Sequence, residues 1–297
     1  DVLNALLARL KRSGATLFLS EPLRDLERVE GGFSVITPSR TIFAPKVVLT
    51  TGGRSYPGSG TTGDGYAVAA KFGHTILPPR PALVPITVNA DWTAELRGVT
   101  LSDVGVRILE GTKPLATRRG SLLFAHFGLS GPVILDVSRA VSSHPRPATL
   151  QLEIDFLPDV KEAQLDEWLR TESLAQGKKH LAVVLAERLP RRVADALLVQ
   201  SGMMADRRAA SLSRADRTNL VANGKRLQLP VRGTLGFEKA EVTAGGVALS
   251  EVDSRDMQSK LVPGLYLAGE VLDLDGPIGG YNFQAAWSTG WLAGESV

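Results

Sequence analysis

The residues of this 297-residue chain best placed to do chemistry lie near its carboxyl terminus, in the stretch GLYLAGEVLDLDGPIGGYNFQAAWSTGWLAG that begins at Gly264. Gly269–Glu270 puts one carboxylate at the end of Leu265–Ala268, whose apolar run suits a short buried strand. Asp273, Asp275, Gly276 and Pro277 follow in a loop. Gly279–Gly280 then opens the run Tyr281 to Ala293, where Phe283, Ala286, Trp287, Gly290 and Trp291 recur at helical spacing. A strand, an acidic tip and a glycine-opened helix bring free backbone N–H groups and the positive end of a helix dipole to one spot. That spot suits a group that is anionic or becomes so. A βα turn whose glycines serve only close packing has the same pattern.

Elsewhere the chemistry is thinner. His126, in FAHFGLSGP, is positioned as a substrate acid or hydrogen-bond donor, or as a histidine packed at a domain interface. Gly128–Leu129–Ser130–Gly131 misses G-x-S-x-G because position 132 is Pro, and no acid–His partner accompanies it, so nucleophilic hydrolysis is set aside. Gly58, Gly60 and Gly63 formally satisfy G-x-G-x-x-G. A spacer holding Pro57 separates them from Gly52–Gly53, however, and the window where an acidic residue should follow is Pro-rich. They read instead as a glycine loop, with Asp64 capping a helix over Tyr66–Phe72. The chain has no Cys, which excludes disulfides and thiolate chemistry, and His74, His126, His144 and His180 never pair at i,i+4, so no metal site is expected.

The elements that must position these residues begin with a helical stripe over Val2–Leu10 and a short strand over Thr16–Leu19. A meander follows over Leu23–Val29, Phe33–Thr37 and Thr41–Ala44. Lys46–Thr51 reads as a strand buried on both faces that ends in Gly52–Gly53. The texture changes around Pro78–Pro85. Strands are expected at Ile86–Val88, Leu101–Leu109, Leu122–Phe124, Val133–Val137 and Leu150–Ile154, then helices from Pro158 to about Asn223, then strands at Leu227–Val231 and Gly233–Val242. The expected units are 1–84, 85–245 (β over 85–157 and 224–245, helical over 158–223) and 246–297.

Composition is that of an ordinary globular protein, 43% hydrophobic and 22% charged, and no apolar run reaches the roughly 18 residues needed to span a bilayer. A cytoplasmic location is expected. Residues 158–229 hold 13 Lys/Arg against 9 Asp/Glu, so the net charge of +3 is concentrated there. Arg191–Arg192, Arg207–Arg208, Arg214, Arg217 and Lys225–Arg226 form either a solvated helical surface or a phosphate-contacting face. No aromatic residues interleave with them for base stacking.

KVVLTTGG at 46–53, TGDGYAVAAKFGH at 62–74, GSLLFAHFGLSGPVILDVSRA at 120–140 and the terminal stretch at 264–294 together resemble the BaiN-like family of NAD(P)/FAD-dependent flavoprotein oxidoreductases. The T-G-G, T-G-D-G and A-G-E elements also resemble the fumarate-reductase-like group. The resemblance implies an α/β fold. Its FAD-binding Rossmann-like domain would be of glutathione/fumarate-reductase-like type, interrupted by an inserted β-barrel-like domain with a helical sub-insert. It implies FAD as cofactor, NAD(P)H as electron donor and a small unsaturated or carbonyl-conjugated substrate. It further implies that Gly269–Glu270 meets the ribityl chain, with Asp273 and Asp275 as candidates for the same polyol. Gly279, Gly280, Tyr281 and Asn282 would lie beside the flavin pyrimidine, Gly52–Gly53 would let backbone pass close, Thr62 would line the cavity, and His126 would face the flavin. Two departures stand out. The family's opening strand–GxGxxG–helix unit is absent, so a truncated chain is expected, and Ala125 stands where the family commonly has Thr. An RNA-binding or RNA-modifying flavoprotein using the basic helices is the alternative.

Overall fold

A computed structural model describes residues 1–297. The chain is mixed α/β. It runs α1 (Val2–Arg12), β1 (Asp25–Val29), β2 (Gly32–Ile36), β3 (Thr41–Ala44), β4 (Val47–Leu49), α2 (Asp64–Lys71), β5 (Ile76–Ala82), β6 (Ile86–Val88) and α3 (Trp92–Glu95). Next come β7 (Thr100–Glu110), β8 (Lys113–Ala125), β9 (Gly128–Ser130), α4 (Pro132–Ser142) and β10 (Leu150–Asp155). Four helices follow, α5 (Glu162–Ala175), α6 (Leu181–Leu185), α7 (Arg191–Gln200) and α8 (Arg214–Arg226). The chain closes with β11 (Leu227–Thr234), β12 (Val242–Val247), β13 (Leu265–Leu267) and α9 (Tyr281–Ser296).

Four sheet systems share the work. β1–β2–β3 is an antiparallel meander, with Leu26 opposite Val35 and Phe33 opposite Ala44. β4 and β13 pair in parallel, Leu49 beside Leu267, although they are far apart in sequence. β10, β11, β6, β9, β8 and β7 close into a barrel whose inward residues, Val104, Val106, Ile108, Phe124, Leu152 and Ile154 among them, are fully buried. The α5–α8 helices pack on that same core through Leu165, Leu169, Val184, Leu197 and Leu220. A smaller core joins β4, β13 and α2 through Leu49, Tyr66, Ala69 and Leu267. Between the two lies the pair β5–β12, where Ala82 faces Val242 and Pro81 faces Thr243. β5 tolerates its prolines because it has only one sheet partner and leaves its other edge unpaired.

Several expectations need correction. Thr16–Leu19 forms no strand, and Leu17, Phe18 and Leu19 are exposed. Val133–Val137 is not a strand but the first half of α4. Pro132 at the first helical position presets the backbone, and Val133, Ile134, Val137 and Val141 fall on one buried face. Gly233–Val242 is not one strand, because a 3₁₀ turn at Phe237–Lys239 precedes β12. β4 is only half-buried at Val47 and Val48. α2 starts at Asp64 itself, with left-handed Gly63 (φ 87°) in the capping position, so Asp64 is not the cap. Phe283, Trp287 and Trp291 share one face of α9 as their spacing requires, but that face is exposed and the helix packs through Thr289 and Ala293.

Candidate active site

A cavity of about 420 Å³ opens where β13, β12 and the start of α9 converge. Its walls include Gly269, Glu270, Gly279, Gly280 and Asn282 from the terminal stretch, together with Tyr56, Leu83, Glu241, Val242, Ile278 and Phe283. That volume lies within the ordinary range of small-molecule sites.

The floor is built from glycines. Gly269, Gly279 and Gly280 adopt φ values of 78°, 122° and 91°, a left-handed region that only glycine enters freely. Gly280 caps α9, and the first helical hydrogen bond runs from Gln284 N–H to the Gly280 carbonyl at 2.9 Å. The preceding N–H groups, those of Tyr281, Asn282 and Phe283, therefore have no carbonyl to meet inside the 16-residue helix, and the helix dipole adds positive character there. Asn282 and Phe283 line the cavity and Tyr281 does not, although Tyr281 and Phe283 are both exposed.

Glu270 sets the electrostatics. Burial holds its carboxyl above the ordinary carboxylate value, while Thr243, donating its N–H to Oε1 at 2.8 Å, pulls the other way. Thr243 is fully buried, and its Oγ1 also accepts the N–H groups of Arg54 (2.8 Å) and Ser55 (3.1 Å). One threonine thus ties Glu270 to the turn after β4. Gly53 lies beneath it and Gly52 is left-handed at φ 75°, so both glycines serve the close approach of that turn. Gly269 N–H is held by Thr289 Oγ1 at 2.9 Å, which fixes the tip of β13 against α9. Next to Glu270 the Tyr66 hydroxyl is buried without a partner, and burial, with the neighbouring Glu270 charge, pushes it up to about 12.

The loop residues act as braces. Asp273 Oδ1 accepts Gly245 N–H at 3.1 Å. Asp275 accepts two hydrogen bonds from Arg139 Nη1 of α4, at 2.8 and 2.9 Å; burial raises its carboxyl and Arg139 opposes that. Asp136, one turn earlier on α4, accepts Ile278 N–H at 2.8 Å. Asn282 clamps Gly276, accepting its N–H at 2.8 Å and donating to its carbonyl at 3.0 Å. Asp273 and Asp275 therefore tie the loop to β12 and α4 and do not line the cavity.

Two further predicted residues also lie outside the main cavity. Thr62 donates to Asp64 at 2.6 Å and lines a separate cavity of about 600 Å³ with Thr51, Asp25 and Lys71. His126 sits exposed at the β8–β9 turn, its ring against Phe127, and does not line the main cavity. Sequence reading also missed Tyr56, Leu83, Thr243, Asp136 and Arg139. Positive φ at Tyr56 (51°) and Leu83 (48°) marks strain at the cavity wall that no sequence pattern announces.

Most of the proposed phosphate face is engaged internally. Arg191 pairs with Asp195, Arg207 with Asp216, Arg217 with Asp166, Arg226 with Glu162 and Lys225 with Asp155. Arg192 donates to the Glu95 and Arg97 carbonyls, and Arg208 to that of Lys178.

The model of the HI0933-like protein Rossmann domain matches residues 1–296. The chain belongs to this family. It is 34% identical over its whole length to a ribosomal RNA dihydrouridine synthase of Escherichia coli and 32% to one of Haemophilus influenzae, covering 72% of each. It is 31% identical, again over its whole length, to a 3-dehydro-bile acid delta(4,6)-reductase of Clostridium scindens, covering 73% of that protein. This HI0933-like chain contains no helix long and apolar enough to cross a membrane.

Proposed function

We propose that this chain serves an FAD-dependent oxidoreductase that draws electrons from NAD(P)H and adds hydrogen across a carbon–carbon double bond conjugated to a carbonyl in a small organic substrate. The observation that carries the reading is that the start of α9, whose first N–H groups have no helical acceptor, lines the cavity beside Glu270. Fixed donors there favour a ring that gains negative charge on reduction. The glycine floor leaves room for a flat ring, since a Cβ at Gly269 or Gly280 would meet nothing within 4 Å. When bound, the flavin supplies hydride transfer. The chain's own residues hold it: the α9 N–H groups at the ring, and Glu270, through the oxygen not held by Thr243, at a hydroxyl of the ribityl chain. Residues 1–84 and 246–297 would form the FAD-binding unit, and the barrel with its helices over 85–245 an insert that roofs it.

The relatives' names support the bond type. Dihydrouridine is uridine saturated at a double bond conjugated to a ring carbonyl, and a 3-oxo bile acid's 4,6-double bonds are conjugated in the same way. A second reading, favoured by the two ribosomal RNA dihydrouridine synthases, makes a uridine in RNA the substrate.

The test is a titration of the purified chain with FAD under argon, followed by NADH or NADPH, then by one of two acceptors. These are a 3-oxo-4,6-diene bile acid and a uridine-containing ribosomal RNA transcript. The expected result is a bound yellow chromophore that bleaches with the nicotinamide and recolours with one acceptor. A colourless protein indifferent to FAD would overturn the reading.

A further inference from the structure

Resting on that reading, we infer that Tyr56 is the proton donor of the reduction. Addition of hydrogen to a conjugated double bond needs two hydrogens of opposite kind. The β-carbon takes a hydride equivalent, at the expense of the reduced nicotinamide, which is oxidised. The π pair moves toward the carbonyl, and the α-carbon must then take a proton. Three titratable side chains line the cavity: Tyr56, Glu241 and Glu270. Glu270 is bound to the Thr243 N–H and sits at the β13 tip, where the proposed function has it hold the cofactor. Among side-chain types, a phenol carries its proton at neutral pH, whereas a carboxylic acid has ordinarily given it up. His126, the acid suggested by sequence, does not line the cavity.

The backbone argues for the same residue. Tyr56 stands at φ 51° and ψ 60°, a left-handed conformation that bulky residues rarely adopt and that a following proline, here Pro57, disfavours further. Three hydrogen bonds hold it there. Its N–H donates to the Phe237 carbonyl at 3.1 Å, and its carbonyl accepts Ser59 N–H at 2.9 Å and Ser59 Oγ–H at 2.8 Å. Arg54 stacks over the Phe237 ring at 4.7 Å, bracing the same corner. A strained residue held from both sides, at the cavity wall, fits a side chain whose position matters. At 52% exposure the phenol can regain its proton from water after each turnover.

The experiment uses the full chain loaded with FAD and whichever of the two acceptors, bile acid or RNA transcript, the parent reduces. Tyr56→Phe should slow acceptor reduction about 10²- to 10⁴-fold, the usual worth of a positioned acid. Bleaching by the nicotinamide should be unchanged, as should acceptor binding to the unreduced protein, read by equilibrium dialysis. Reduction by Tyr56→Phe at the parent rate would overturn the assignment while leaving the proposed function standing. So would a loss explained wholly by weaker acceptor binding, or a loss confined to Glu241→Gln. A parent that reduces neither acceptor would remove both.

Discussion

Gly53 and Glu270 meet so closely that a methyl group on Gly53 would fall 2.6 Å from Glu270 Oε1 and 2.4 Å from Thr243 Oγ1. The turn after β4 and the tip of β13 thus share a contact that only a glycine allows, and β4 and β13 pair directly below it. Gly53→Ala is expected to lower stability by about 1–3 kcal/mol, as overpacked interiors do, and to weaken FAD binding by moving Glu270. Urea unfolding and FAD titration measure the two effects. An unchanged midpoint with unchanged affinity would show that the contact is unimportant.

Glu270 should give the fold a pH signature. Burial raises its folded value above the ordinary 4.5, so the unfolded chain ionises it first as pH climbs. The stability associated with this group is whole below about pH 4 and is lost as pH rises through the folded value. Glu270→Gln keeps an oxygen for Thr243 and removes the titration. Melting temperatures of the parent and Glu270→Gln should lie close near pH 4 and separate toward pH 7, with the variant higher. A gap that does not change with pH contradicts this.

The grip of α4 on the loop before α9 is separable into two contacts. Asp136→Ala strips Ile278 N–H of its acceptor and should cost about 1–3 kcal/mol, while Asp136→Asn, which keeps an acceptor oxygen, should recover most of it. Arg139→Ala leaves Asp275, whose side chain is 8% exposed, without its cation and should raise its carboxyl further. Hydrogen exchange at Gly279–Asn282 should quicken in both alanine variants. Equal protection in parent and variants would deny α4 that part.

Changing Arg191, Arg192, Arg207 and Arg208 together to Ala should lower thermal stability without altering the salt dependence of any RNA retention. These side chains already bind carboxylates and carbonyls within the chain, and each exposed ion pair is worth about 0.2–1 kcal/mol. A loss of RNA binding at unchanged stability would restore the helical face as a contact surface.

The turn from Leu265 to Gly280 was legible because its signals are local: an apolar run, an acid, and paired glycines at a helix start. Residues that act through long-range contacts left no such trace. Thr243 reaches Glu270 and Arg54 from a strand that sequence placed differently, and Asp136 lies in a run whose β-branched residues read as strand until Pro132 is seen as a helix start. The aromatic spacing of α9 was right, but periodicity names a face without saying what it looks toward. The basic run left two readings open for a related reason. Counting charges shows an excess, whereas partners such as Asp166 and Asp216 appear only once the helices pack.

The most direct test of the central claim is a crystal structure of the full chain grown with FAD. A flavin ring lying in the cavity between Glu270 and Phe283, with its pyrimidine edge accepting from the N–H groups that open α9, is the predicted result. A flavin bound only beside Thr62 and Lys71, with Gly279–Asn282 untouched, would contradict it.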